Sequence, residues 1–108
     1  MPVEIQSTPL AMTAYLSGEI DHHQAPAIRL KIDDAVQRQK PPLLKLDFGN
    51  VEFMDSSGIG LVMGRYRLVK SYGGGMEVVN LPVQIYKVMK LSGIEKLATI
   101  KLREEAKK

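Results

Sequence analysis

The chain has 108 residues, 44% of them hydrophobic and 25% charged, with no cysteine and a formal net charge of +3. That length supports one domain burying about 65% of its unfolded-chain surface, and without cysteine neither a disulfide nor a thiolate metal site can hold it together. The 15 basic and 12 acidic residues are interleaved, as in "KLREEAKK", with no aromatic platform among the cations. Solvated faces are therefore expected, and no direct contact with nucleic acid. The opening "MPVEIQSTPL" lacks the basic and apolar blocks of a signal peptide. No apolar run approaches the roughly 20 residues that span a bilayer. A cytoplasmic protein without membrane contact is expected.

The first segments alternate with period two. Val3 and Ile5 oppose Glu4 and Gln6, "STP" interrupts, and Leu10, Met12, Ala14 and Leu16 then share a face opposite Ala11, Thr13, Tyr15 and Ser17. This predicts a two-stranded hairpin. A helix follows within residues 22–39, with Ile28, Ile32, Ala35 and Val36 at helical spacing. Asp21 and Gln24 resemble a capping box, although Pro26 favours a start at that residue. "KPP" ends the helix.

"LLKLDF" predicts a strand with Leu44, Leu46 and Phe48 inward, Lys45 outward and Asp47 at its end. A second helix is expected over roughly 57–71, burying Ile59, Val62, Met63, Tyr66 and Val69 and leaving Arg65, Arg67 and Lys70 in water. "YGGG" stops it. "MEVVN" is a further strand, "PVQIYKVMKLSG" a third helix between Pro82 and Gly93, and "LATIKL" a last strand before a charged tail. The order β-β-α-β-α-β-α-β implies parallel pairing of the last three strands through right-handed crossovers. Glu4, Gln6, Thr13, Tyr15, Lys45, Asp47 and Glu77 make the second sheet face polar, so the helices are expected mainly on the other.

The segment "FMDSSGIG", residues 53–60, lies where a strand ends and a helix begins, the position at which α/β domains gather functional groups. Any of Asp55, Ser56 or Ser57 can cap the helix. Capping does not account for Gly58 and Gly60, each costing about 1 kcal/mol against alanine inside a helix. They leave the backbone open to close approach by another molecule, or they pack the helix tightly on the sheet, Gly60 and Gly64 sharing a face. Other signals carry little. "DFG" at 47–49 lacks the rest of the kinase signature, the glycines miss dinucleotide and P-loop spacings, and Ser57 is not in G-x-S-x-G. His22 and His23 adjoin each other without a third ligand at suitable spacing or a nucleophile to serve, so no metal, cofactor or catalytic centre is expected.

"SGEIDHH", "DFGNVEFMDSSGIGLVMGRY", "GGGMEVVN" and "MKLSGIEKL" resemble the STAS-domain anti-sigma factor antagonists over roughly residues 3–102. D-S-S-G ahead of a helix is that family's most specific motif. The extended "FMDSSG…GRY" and "DHH" are more similar to its sporulation branch than to the general-stress branch. Pro26 stands where an acidic residue is expected. The resemblance implies a single STAS-type α/β domain across 1–108, a mixed sheet of about five strands with helices mainly on one face, and a tail at 103–108.

It also implies a partner switch. The unmodified antagonist binds an anti-sigma factor that is itself a serine kinase, carrying ADP or ATP, and so releases a sigma factor. Phosphorylation of Ser57 ends that competence, and a PP2C-type phosphatase restores it. In this reading Asp55, Ser56, Ser57, Gly58 and Gly60 meet the partner, the chain is not an enzyme, and it is a monomer when free. Phosphate adds about −1.5 to −2 charge, which a helix N-terminus accommodates. The rivals are a general-stress STAS regulator, a STAS module binding a small ligand or nucleotide, and an enzyme. The ligand module would require a concave pocket and binding without a kinase; the enzyme lacks a nucleophile–base pair.

Overall fold

A computed structural model describes residues 2–104; the last part of the expected tail, 105–108, lies outside the described residues. The strands are β1 (Val3–Ser7), β2 (Met12–Ile20), β3 (Leu43–Met54), β4 (Gly75–Leu81) and β5 (Thr99–Leu102). Helix α1 (Ala25–Gln39) joins β2 to β3, α2 (Ser56–Lys70) joins β3 to β4, and α3 (Val83–Ser92) with a short 3-10 turn at Ile94–Lys96 leads into β5. The five strands form one sheet in the order β1-β2-β3-β4-β5. β1 pairs antiparallel with β2, and every later neighbour is parallel. The expected mixed α/β sheet is what forms.

Register across the sheet explains the core. Met12, Leu44 and Met76 lie side by side, as do Ala14, Leu46 and Val78, and all are buried. Ile28 and Ile32 of α1, Leu61, Val62 and Val69 of α2, and Ile85 and Met89 of α3 belong to that same cluster. Because side chains alternate across a strand, one cluster fed by all three helices means one helix-covered sheet face. The opposite face carries the row Thr13, Lys45, Glu77 and Thr99. Lys101 reaches Glu77 there at 3.6 Å.

Several expectations are corrected. Leu10 is 79% exposed, because the turn held by Thr8, whose Oγ1 accepts from the Leu10 and Ala11 N–H groups, runs to Ala11 before β2 begins. β3 does not end at Asp47. The Asp47 carboxylate accepts from the Gly49 N–H at 2.8 Å, and the strand then continues along the end of β2, pairing Ser17 with Asn50 and Ile20 with Met54. α1 starts at Ala25 with Pro26 in its first turn. Asp21 accepts from the His23 and Gln24 N–H groups at 3.0 Å, so it organises the preceding turn and is not the helix cap. The last strand is shortened to Thr99–Leu102 by the 3-10 turn.

The largest correction is Arg65. It faces inward and is 6% exposed, on a stripe with Gly58, Leu61, Val62 and Val69, while Ile59, Met63 and Tyr66 border the core. Asp33 of α1 makes this tolerable. Its carboxylate lies 2.7 Å from Arg65 Nε and accepts from Nη2 at 3.3 Å. Nη1 donates to the Leu61 carbonyl at 3.3 Å. The Nε contact is close as a charge pair but poorly aligned as a hydrogen bond. Burial pulls the Arg65 pKa below the ordinary arginine value, and Asp33 opposes that shift. One ion pair thus ties α1 to α2.

Candidate functional site

The motif at 53–60 is built from three backbone decisions. β3 delivers Met54 beside Ile20, and the Asp55 N–H donates to the Ile20 carbonyl at 3.1 Å. Asp55 then takes the extended conformation of a helix cap (φ −100°, ψ −169°), and its carboxylate accepts from the Ser57 N–H at 2.8 Å. Of the three candidate caps, Asp55 does the capping. That frees the Ser57 hydroxyl from the role.

The Asp55 carboxyl is held below the ordinary carboxylate value. The Ser57 N–H is the leading cause of its lowered pKa, partial burial opposes the shift, and the Ser57 hydroxyl and the His22 N–H and imidazole add to it. His22 Nδ1 lies 3.9 Å from the carboxylate. The folded pKa is depressed, so the cap's contribution is present above the unfolded value near 4 and is lost as pH falls through the folded value. Asp55→Ala is expected to lower the melting temperature by several degrees at pH 7 and by less at pH 3, which lies below the unfolded value. Melting curves of both proteins at the two pH values check this; equal differences at both would show that the carboxylate charge does not matter to the cap.

The glycines do different work from one another. Gly58 is buried, and a Cβ there would collide with the Met54 side chain. Its position is therefore occupied from within by Met54, which would have to move to admit a Cβ; this corrects the expectation that its backbone lies open. At Gly60 and Gly64 an added Cβ would have nothing within 4 Å, so neither packs tightly on the sheet. Both face a cleft of about 330 Å³ between α1 and α2, lined also by His22, Pro26, Arg29 and Ser57, with Leu61 and Arg65 beneath. Ser56 is exposed, and Ser57 is half-buried at the cleft. The structure thus brings Asp55, Ser57 and Gly60 to one surface, with Ser56 beside them and Gly58 turned inward.

A family model described as "STAS domain" matches residues 2–106. The chain belongs to that family. Among its relatives, an anti-sigma F factor antagonist of Paenibacillus polymyxa is 34% identical over 93% of this chain and 86% of its own length. An anti-sigma-B factor antagonist of Bacillus subtilis is 25% identical over 95% of this chain and 93% of its own. The solved structure of the anti-sigma factor antagonist SpoIIAA in its unphosphorylated form superposes with a TM-score of 0.79 at 31% identity, covering 91% of this chain and 86% of that one. The phosphorylated form of the Bacillus protein gives 0.73 at 31% identity, covering 91% and 89%.

In this STAS domain the sequence motif located one wall of the site and missed the other. Arg29 and Pro26 reach the cleft from α1, about 30 residues before the motif in the chain, and no local pattern connects them to it. The helical spacing of Ile28 and Ile32 does carry a signal. Positions 26 and 29 fall beside that buried stripe, on the flank that a neighbouring helix would meet.

Proposed function

We propose that the chain is an anti-sigma factor antagonist switched by phosphorylation of Ser57. In the unmodified form it binds an anti-sigma factor that is a serine kinase holding ADP or ATP, and the sigma factor is released. The kinase moves the γ-phosphoryl group of ATP onto Ser57 Oγ; ADP leaves, and the hydroxyl proton passes to a base of the kinase. A PP2C-type phosphatase hydrolyses the ester and restores the hydroxyl. The chain's own part is that of acceptor and ligand, with Asp55, Ser56 and Gly60 forming the surface around Ser57 and Gly58 setting the helix turn beneath it. The similarity to antagonists of both the anti-sigma F and the anti-sigma-B factors supports this class of function, and the likeness to the F-type protein favours sporulation as its setting.

The observation that carries the reading is the division of labour at the helix start. Asp55 caps through the Ser57 N–H, so the cap does not depend on the hydroxyl, and Ser57 lines a cleft with Gly60. Ser57 therefore can accept phosphate without dismantling the cap.

Incubation with the anti-sigma kinase of the same organism and magnesium ATP, followed by mass-spectrometric mapping, should place one phosphate on Ser57 and none on Ser56. Ser57→Ala should abolish transfer yet bind the kinase as before. Because Asp55 is the cap, its stability should change by no more than about 0.5 kcal/mol. Phosphate mainly on Ser56, Thr8 or Thr13 would overturn the assignment.

A further inference from the structure

Two guanidinium groups meet at the α1–α2 cleft, and both nearby acids are already engaged. Asp33 is held by buried Arg65, and Asp55 by the Ser57 N–H with His22 beside it. Arg29 stands one helical turn before Asp33 on α1, is exposed, and lines the same cleft as Ser57. It is close enough to Arg65 for its charge to depress the Arg65 pKa further. Among the described residues no acid lies within ion-pair distance of Arg29. The cleft therefore carries a cation without a counter-ion, and the first turn of α1 contains no acidic residue to supply one.

We propose that Arg29 is the internal partner of phosphorylated Ser57. The proposal rests on the reading of Ser57 as the modified residue and adds where its phosphate goes. A phosphate at Ser57 stands next to ionised Asp55, so repulsion drives it away from the cap and toward a cation lining the cleft. Arg65 cannot turn to meet it without leaving Asp33 unpaired. His22 is exposed and already lies beside Asp55. Arg29 faces the same open space and carries a planar fork that matches phosphate oxygens. The pair fills the volume over Gly60 and Gly64, where added Cβ atoms would meet nothing. Phosphorylation then removes the cleft from the partner as well as the hydroxyl.

The test uses the full chain with phosphoserine incorporated genetically at position 57, so that no kinase is needed. Phosphorus NMR titration follows the second ionisation of the phosphate in the parent chain, in Arg29→Gln and in His22→Gln, with amide spectra confirming that each keeps its fold. The parent phosphate should titrate at least about half a unit below that of Arg29→Gln, whose value should approach the ordinary one near 6. His22→Gln should stay close to the parent. Identical titrations for the parent and Arg29→Gln, or a shift lost only in His22→Gln, would overturn the proposal. A negative result here leaves phosphorylation by the kinase untouched. Conversely, a kinase that fails to modify Ser57 leaves the pairing result standing.

Discussion

Asp33→Ala should destabilise the domain by about 3 kcal/mol, the lower part of the range for removing one partner of a buried ion pair. The lower part applies because the Asp33 side chain is 24% exposed, whereas that of Arg65 is 7% exposed. The loss comes chiefly from what remains. Without the carboxylate, Arg65 would be a buried guanidinium with only the Leu61 carbonyl as acceptor, repelled by Arg29. Arg65→Met should cost less, about 1 kcal/mol, since the stem volume is kept and Asp33 can hydrate at the surface. Urea unfolding of the three proteins measures both numbers. Equal losses for the two variants, or a change below about 0.5 kcal/mol for Asp33→Ala, would mean that the pair does not tie α1 to α2.

That ion pair also shows where a sequence stops being readable. Position 65 sits three or four residues from Leu61 and Val62 and four from Val69, so spacing alone assigns it to the buried stripe. Its charge assigns it to water. The conflict is resolved only by Asp33, 32 residues earlier, and no local rule pairs those positions. Leu44, Leu46 and Phe48 were legible because alternation and composition agree there. The continuation of β3 through Gly49 and Asn50 was not, since that dipeptide reads as a turn. It stays extended because the Asp47 carboxylate bonds the Gly49 N–H, Asn80 reaches the same carboxylate at 3.3 Å, and the end of β2 supplies a partner strand.

The site divides in the same way. Asp55 and Ser57 announce themselves through a cap preference and a helix start in one short motif. The individual roles of the glycines do not. Gly58 answers to Met54, four residues earlier, whereas Gly60 and Gly64 answer to a cleft that exists only after α1 docks beside α2. A glycine in a sequence declares that a side chain is unwelcome. It does not say whether the excluded volume belongs to the protein itself or to a visitor.

Phosphorylation of Ser57 should leave the fold and the melting temperature nearly unchanged while lowering affinity for the anti-sigma kinase at least about a hundredfold, or roughly 2.7 kcal/mol. The two effects separate because they act on different surfaces. The Asp55 carboxylate caps through the Ser57 backbone N–H, which the modification does not alter. An anion at the start of α2 interacts favourably with the helix dipole by about 0.3–1 kcal/mol when exposed, offsetting its repulsion from Asp55. At the partner interface the dipole offers no such relief, and a phosphate turned onto Arg29 would cover the cleft. A contact made to a hydroxyl must now desolvate a dianion beside an ionised carboxylate, at a cost of several kcal/mol unless a cation is supplied. Calorimetric titration of both forms into the kinase, with melting curves for each, measures the two quantities on the same samples. Equal affinities would sink the switch. A melting transition that collapses on phosphorylation would instead mean that the modification acts by unfolding α2, and the lost affinity would then say nothing about the surface around Ser57.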